Sequence, residues 1–184
     1  MTLLIIVIII AIVVIAVIAI YNKLVKLRNT VKSSWSDIDV QCKKRYDLVP
    51  NLVETVKGYA SHERTVFEKV TEARSIGMKA TSPAEMAKAE NMLRDTLKSL
   101  FAVAEAYPEL KANANFMQLQ SQLQELENSI EYARRYYNAV VRDYNILIES
   151  FPSNLIASQF NFKQAELFQL ETPEVERKPV KVSF

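Results

Sequence analysis

Glycine, cysteine, histidine and tryptophan are scarce in this chain of 184 residues, which has two glycines and one each of the other three. The two glycines, Gly58 and Gly77, are too few for the many tight turns of an all-β fold or for a glycine-rich phosphate-binding loop. The single cysteine, Cys42, permits no intramolecular disulfide. We therefore expect an all-α chain without a nucleotide-binding loop.

The same scarcity limits catalytic and metal chemistry. Helical di-iron sites need two Glu-x-x-His motifs and zinc hydrolase sites need two or three histidines, whereas this chain has only His62, in the polar sequence SHER of a predicted helix. Cys42 and His62 would lie ~30 Å apart on that helix unless Pro50 folded it back. Because Cys42 occupies an apolar position, we interpret it as a buried core residue. The chain is predicted not to be an enzyme, with no catalytic, cofactor-binding or metal-binding residue and no small-molecule substrate.

Residues 3–20 form an apolar run, LLIIVIIIAIVVIAVIAI, without a charged or hydrogen-bonding side chain. As a helix it would be ~27 Å long, close to the ~30 Å hydrocarbon core of a bilayer. A buried core helix would show a polar stripe, and a cleaved export signal would have a basic start and a small-residue end. This run has neither feature, because its best small-residue site, Val17 to Ala19, lies inside it. We therefore favour a permanent membrane anchor.

The formal net charge is only +2, and basic residues are interleaved with acidic ones in most of the chain. No basic surface for nucleic acid is therefore predicted. A local excess follows the apolar run, at Lys23, Lys26, Arg28 and Lys32, whereas no Lys or Arg precedes the run. By the positive-inside rule, the N-terminus lies outside and the rest of the chain lies in the cytoplasm, with these side chains near the lipid headgroups.

The strongest helical pattern lies late in the chain, where apolar residues alternate spacings of three and four over about 36 residues. The stripe consists of Phe116, Leu119, Leu123, Leu126, Ile130, Ala133, Tyr137, Val140, Tyr144, Leu147 and Phe151. This helix is expected to begin at Asn115 as the N-cap, with Gln118 three residues later, and to end before Pro152.

A second heptad pattern follows the anchor directly, and only Arg28, Arg45 and Glu63 interrupt it. Pro50 lies inside this pattern and removes the backbone donor that would bond to the carbonyl of Tyr46. Because the phase is kept across Pro50, we favour one long kinked helix continuous with the anchor over two helices with a loop.

Capping signals mark the helix ends that follow. Gly77 marks the end of the element that begins with the anchor. Ser82, Pro83 and Glu85 supply an N-cap, a first-turn proline and a capping box, and the helix that they start should end before Pro108. Its predicted core face consists of Met86, Ala89, Leu93, Leu97, Leu100 and Ala104.

The predicted architecture is all-α: an antiparallel bundle of three long helices and a shorter C-terminal helix, on an N-terminal transmembrane helix. We divide the chain into an anchor (1–20), a helical bundle domain (21–170) and a tail (171–184). The short helix is expected after Pro152, followed by an irregular segment packed back on the bundle. The tail is either flexible or ordered by a neighbouring copy.

Two polar sets accompany the late helix. Glu127, Glu131, Arg134 and Arg135 have i,i+3 and i,i+4 spacings. We interpret them as a solvated salt-bridge ladder, which is far commoner than a catalytic carboxylate set. Two asparagines, each after a tyrosine, flank the core stripe seven residues apart and are expected to fix helix register through hydrogen bonds, with a ligand contact as the alternative. They are Asn138 and Asn145.

Residues 127–162, ENSIEYARRYYNAVVRDYNILIESFPSNLIASQFNF, resemble the signature of the LemA family in a Glu-Asn, an Ala-Arg, two Tyr-Asn pairs, a Phe-Pro, an Ile-Ala and a closing Phe-x-Phe. YNKLVKLRNTVKSSWSDIDVQCKKRYDLVPNLVETVKGYASHE, the TEAR that ends at Arg74, and YPELKANANFMQLQSQLQ resemble it in the same order. Ser129 departs from the family, which often has arginine there, and this leaves a charge unmatched near Glu127.

The resemblance implies a single-pass protein of the bacterial inner membrane with a cytoplasmic helical domain and no established enzymatic activity. Members often occur beside membrane metalloprotease genes, which suggests envelope quality control. Two hypotheses follow: a structural protein that self-associates through its long helices into a homo-oligomer, or an adaptor for a membrane metalloprotease. Heptad stripes and the glutamines beside them, such as Gln118 and Gln122, motivate the first.

Overall fold

A computed structural model describes residues 1–169, and within this range the chain forms helices and no strand, which confirms the all-α prediction. The helices are α1 (Thr2–Lys57), α2 (Arg64–Gly77), α3 (Pro83–Glu105), α4 (Pro108–Lys111), α5 (Ala114–Glu149) and α6 (Ser153–Gln159). The predicted tail lies outside the described residues. The short α6 and the irregular segment after it match the prediction, whereas the one-turn α4 was not predicted.

The first helix, α1, has 56 residues, and its apolar start lies on the surface. An 18-residue window of α1 has a mean hydropathy of 3.9, and none of it is buried. Every side chain from residue 1 to residue 19 is exposed, and the first fully buried side chain is Leu24. A soluble domain does not leave so long an apolar run uncovered, so this helix is suited to a membrane.

The prediction of one helix from the anchor to Gly77 is half correct. Helix α1 continues through Pro50, as expected, but it ends at Lys57, and residues 58–63 connect it to α2. Gly58 is a poor helix former, and the amide of Ala60, a buried residue, bonds back to the carbonyl of Val56 at 2.9 Å. The heptad phase did not reveal this break because the apolar face of α2 continues the same spacing.

Helix α3 begins as predicted. The Ser82 hydroxyl accepts a hydrogen bond from the amide of Glu85, and the Glu85 carboxylate accepts one from the amide of Ser82. The predicted start of α5 at Asn115 is wrong, because the side-chain oxygen of Asn113 accepts the amides of Asn115 and Phe116 at 2.9 and 3.1 Å. Asn113 is therefore the N-cap, and α5 still has the predicted 36 residues.

The chain divides into two compact units. The first unit consists of Met1–Ile38 and Tyr132–Leu167, and Asp39–Glu131 makes up most of the second. The first unit contains the apolar run, the C-terminal part of α5 and α6. The core of the second unit includes the predicted α3 face, all of which is buried.

Candidate functional site

The second unit contains a buried charged cluster, which consists of Arg45 and Tyr46 of α1, Glu90 of α3 and Glu127 of α5. The guanidinium of Arg45 forms ion pairs with the carboxylates of Glu90 and Glu127. The Tyr46 hydroxyl donates a 2.7 Å hydrogen bond to Glu90. Arg45, Tyr46 and Glu90 are buried, whereas 35% of the Glu127 side chain is exposed. One cation is thus shared by two carboxylates from two other helices.

The electrostatics of this cluster favour its paired form. Burial alone lowers the pKa of Arg45, but the charges of Glu90 and Glu127 outweigh burial, so the pKa is raised and the guanidinium stays charged. Burial raises the pKa of the Tyr46 phenol, and the neighbouring Glu90 carboxylate raises it further. Tyr46 therefore remains a hydrogen-bond donor, and the cluster is suited to joining three helices rather than to proton transfer.

Sequence analysis missed this cluster, although one signal for it was present. Arg45 interrupts an apolar heptad position, and a cation on a core face requires a buried partner. The prediction of a solvated salt-bridge ladder is wrong for Glu127, because its partner is buried Arg45. Glu127 thus has a cationic partner in Arg45, although the Ser129 departure suggested an unmatched charge near it. Glu131 and Arg135 are exposed on α5, and Arg134 is half-buried.

Of the other predicted site residues, Cys42 borders this cluster, because it interacts electrostatically with Arg45 and Tyr46 one helical turn away on α1. Cys42 is fully buried inside α1, as predicted. His62 lies in the connection between α1 and α2, so its predicted helical position is wrong. Across residues 1–169, no group of three or more His, Cys, Asp or Glu side chains has the arrangement of a metal site.

Pro50 is tolerated inside α1 because another helix replaces its missing donor. A helical residue at position 50 would donate its amide to the carbonyl of Tyr46. The guanidinium Nε of Arg74, on α2, donates to that carbonyl at 2.6 Å instead. Arg74 is the last residue of the TEAR sequence, so this motif has a structural role in the second unit.

Helices α1 and α2 also border an open groove of about 950 Å³ in the second unit. Its apolar lining includes Val49, Val53 and Phe67. Acidic and basic side chains occur in equal number around it: Glu54, Glu68 and Glu72, and Lys57, Arg64 and Arg74. The groove therefore has an apolar floor and a rim that carries charges of both signs.

In the first unit, the Tyr-Asn pairs of α5 hold the segment that follows α6. The Asn145 side-chain oxygen accepts a 2.9 Å hydrogen bond from the amide of Ala165. The Asn145 side-chain nitrogen donates a second bond of 2.9 Å to the carbonyl of Ala165. The Tyr137 hydroxyl donates to the carbonyl of Glu166 at 2.8 Å. Asn145 thus makes the predicted kind of side-chain hydrogen bond, but it holds the irregular segment after α6, so the prediction that it fixes the register between helices is wrong.

Comparison with known proteins agrees with this architecture. A family model described as the LemA family matches residues 34–184. Protein LemA of Metamycoplasma hominis is 28% identical over 166 residues, which cover 88% of this chain and 74% of that protein.

Two magnetosome proteins are also similar. Magnetosome protein MamQ 2 of Paramagnetospirillum magneticum is 26% identical over 175 residues, 81% of this chain and 64% of that protein. Magnetosome protein MamQ of Magnetospirillum gryphiswaldense is 22% identical over 174 residues, 80% of this chain and 64% of that protein. The chain thus spans less than two thirds of the magnetosome proteins, and none of these names denotes an enzyme.

Proposed function

Because this chain belongs to the LemA family of membrane-associated helical proteins, we propose that it is a non-enzymatic structural protein that is anchored in a bacterial inner membrane and self-associates there. The observation that carries the proposal is the uncovered apolar start of α1. The apolar run is long enough to cross a bilayer. The same helix, α1, continues without a break to Arg45 and Tyr46.

The charges around the end of the apolar run support one orientation. Lys23, Lys26, Arg28 and Lys32 are all exposed and follow the run within about four helical turns. The positive-inside rule then favours an N-terminus outside and the residues that follow the apolar run in the cytoplasm.

The groove between α1 and α2 supports self-association. An interface between two identical copies related by a two-fold axis must be complementary to itself. The equal numbers of acidic and basic residues around the groove are compatible with this requirement, because a pairing of Glu68 of one copy with Arg64 of another would be repeated by the symmetry. The heptad stripe of α5 offers less surface for self-association than expected, because Phe116, Leu123 and Ile130 are buried within the chain's own core.

The oligomeric state of the full-length protein in mild detergent tests self-association. We expect mass photometry to show a species larger than the monomer. Reversal of two exposed groove charges, by Glu68→Lys with Glu72→Lys, should shift that species towards the monomer. Asp95→Lys, a charge reversal at an exposed residue of α3 away from the groove, is the control and should leave it unchanged. A strictly monomeric wild type at all concentrations would refute self-association.

An adaptor for a membrane metalloprotease is the alternative that the family resemblance implies, and the same groove favours it, because an apolar floor with a charged rim also accepts a helix of another protein. Co-purification from membranes separates the two functions. A stoichiometric metalloprotease that is lost in the Glu68→Lys, Glu72→Lys variant, together with a monomeric purified chain, would favour the adaptor.

A further inference from the structure

Three large apolar side chains are exposed where α5 turns into α6. Phe151, in the turn, is 80% exposed, Leu155 of α6 is 62% exposed, and Phe160, directly after α6, is 52% exposed. We call these three residues the apolar corner. Together they form the kind of clustered apolar surface that soluble proteins rarely leave uncovered.

The register of α1 against α5 places this corner beside the end of the apolar run. The rings of Trp35 and Tyr137 pack with centroids 5.6 Å apart. Because the two helices are antiparallel here, seven residues back along α1 and seven forward along α5 lead to Arg28 and Tyr144, which interact electrostatically.

A further step of seven residues back along α1 leads to Tyr21, and seven residues beyond Tyr144 the chain has left α5 and reached Phe151 in the turn. A direct contact also locates the corner beside Tyr21, because the ring of Phe160 lies 4.7 Å from the ring of Tyr21. Tyr21 immediately follows the apolar run, so the corner lies where α1 would leave the hydrocarbon.

Local geometry directs the corner outwards. The Ser153 hydroxyl bonds to the carbonyls of Leu147 and Ser150 at 2.6 and 2.9 Å, which fixes the start of α6 against the end of α5. Asn161 has a positive φ of 54°, a backbone conformation that asparagine tolerates better than most residues. The backbone turns at this residue, and Phe160 is exposed whereas Phe162 is buried.

The inward side of this turn is well packed. Phe162 lies edge-on to Tyr21 with centroids 5.8 Å apart, and the guanidinium of Arg28 lies 5.0 Å from the centre of its ring. The Glu149 carboxylate beside the corner accepts a hydrogen bond from the Gln164 side chain. The exposed apolar corner is therefore held by a fixed framework rather than by a loose loop.

We propose that Phe151, Leu155 and Phe160 insert into the boundary between the headgroups and the acyl chains of the bilayer that α1 crosses. This inference rests on the proposed membrane anchoring. A lipid surface is favoured over a protein partner because Phe160 packs on Tyr21, the residue that directly follows the apolar run. Aromatic side chains also concentrate at this depth of membranes. The first unit then meets the membrane at two places, which sets its tilt relative to the bilayer.

Quenching of tryptophan fluorescence by brominated lipids tests this insertion. The full-length protein is reconstituted into vesicles of phosphatidylcholine and phosphatidylglycerol, with and without bromine on the acyl chains. The wild type, whose only tryptophan is Trp35, supplies the background. Phe151→Trp and Leu155→Trp report on the corner. Tyr132→Trp is the matched control, because Tyr132 is 74% exposed on α5 and lies ~26 Å before the C-terminal end of that helix.

We expect brominated lipid to remove at least about half of the emission that is added at residues 151 and 155, with a blue shift, and to leave the emission at residue 132 nearly unchanged. Equal quenching at residues 132, 151 and 155 would overturn the proposal. A blue shift that appears only at high protein density, without quenching, would also overturn it and would indicate a second copy as the occupant.

Flotation of the same vesicles separates the two proposals. If the protein floats with the vesicles and resists alkaline carbonate, but the corner is not quenched, only the insertion is wrong. If the wild type washes off the vesicles, the proposed anchoring fails, and the insertion fails with it.

Discussion

Gly77 of α2 lies against the ring of Tyr46, at a distance that leaves no room for a side chain. A Cβ atom at residue 77 would lie 2.6 Å from both the Cζ and the hydroxyl oxygen of Tyr46. That ring cannot easily move, because its hydroxyl is bonded to Glu90 and lies 3.3 Å from the sulfur of Met86. The glycine that the sequence marks as a helix end is therefore also required for close helix packing.

Gly77→Ala should destabilise the second unit by about 1–3 kcal/mol, the usual cost of overpacking a core. The measurement is urea unfolding of the full-length protein in mild detergent, followed by helical circular dichroism. Gly58→Ala is the matched control, because a Cβ there meets only ordinary contacts at 3.5 and 3.9 Å. Equal unfolding midpoints for the two variants would contradict this packing.

The hydrogen bond from Arg74 to the Tyr46 carbonyl predicts coupling between Arg74 and Pro50. Arg74→Leu alone leaves a helix carbonyl without a donor and should cost about 1–3 kcal/mol. In a Pro50→Ala background, the backbone amide of Ala at residue 50 can donate to the same carbonyl, so Arg74→Leu should cost less. A double-mutant cycle of unfolding free energies measures the difference. Strictly additive costs would mean that Arg74 does not replace the donor lost at Pro50.

The buried cluster predicts that a buried carboxylate without its cation lowers the stability more than the loss of both charges does. Arg45→Met leaves Glu90 buried without a cation and should cost about 3–5 kcal/mol. Adding Glu90→Gln to Arg45→Met removes that charge and should recover part of the loss. Glu127→Gln should cost less than Arg45→Met, because its carboxylate is partly solvated. If the double variant were less stable than Arg45→Met alone, the pairing would not be the source of the cost.

The raised pKa of Tyr46 predicts a loss of stability in alkali. In the unfolded state the Tyr46 phenol loses its proton near pH 10, whereas in the folded state it keeps the proton. The contribution of Tyr46 to the free energy of unfolding is therefore complete below about pH 10 and falls as the pH rises above that value. Tyr46→Phe should be less stable at neutral pH but should lose less stability between about pH 9 and 11. Tyr137 and Tyr144, whose pKa values burial also raises, leave a residual slope in both proteins. Parallel curves for the two proteins would exclude Tyr46 as a source.

Local sequence signals predicted the elements that depend on local interactions. The capping box at Ser82 and Glu85 satisfies amides within one turn, so the sequence alone located the start of α3. The length of α5 and the uncovered apolar run were also predictable, because each depends on a continuous pattern. The N-cap at Asn113 was missed because two asparagines two residues apart offer the same chemistry.

The contacts of the candidate site depend on residues far apart in the chain. Arg45 meets carboxylates 45 and 82 positions away, and no local pattern identifies which acidic residues they are. The break after Lys57 was missed for a related reason, because α2 keeps the phase of α1 after the chain turns. A charge inside an apolar stripe, such as Arg45, is a signal that sequence analysis can use to expect buried ion pairs.

Intact-mass spectrometry of protein that remains in alkaline-washed membranes tests the membrane anchoring most directly. The proposed function predicts that the chain stays with the membrane and retains the whole apolar run, including Leu3. Release into the wash of a chain that begins at Ile20 or later would contradict it, because the run would then be a removed export signal.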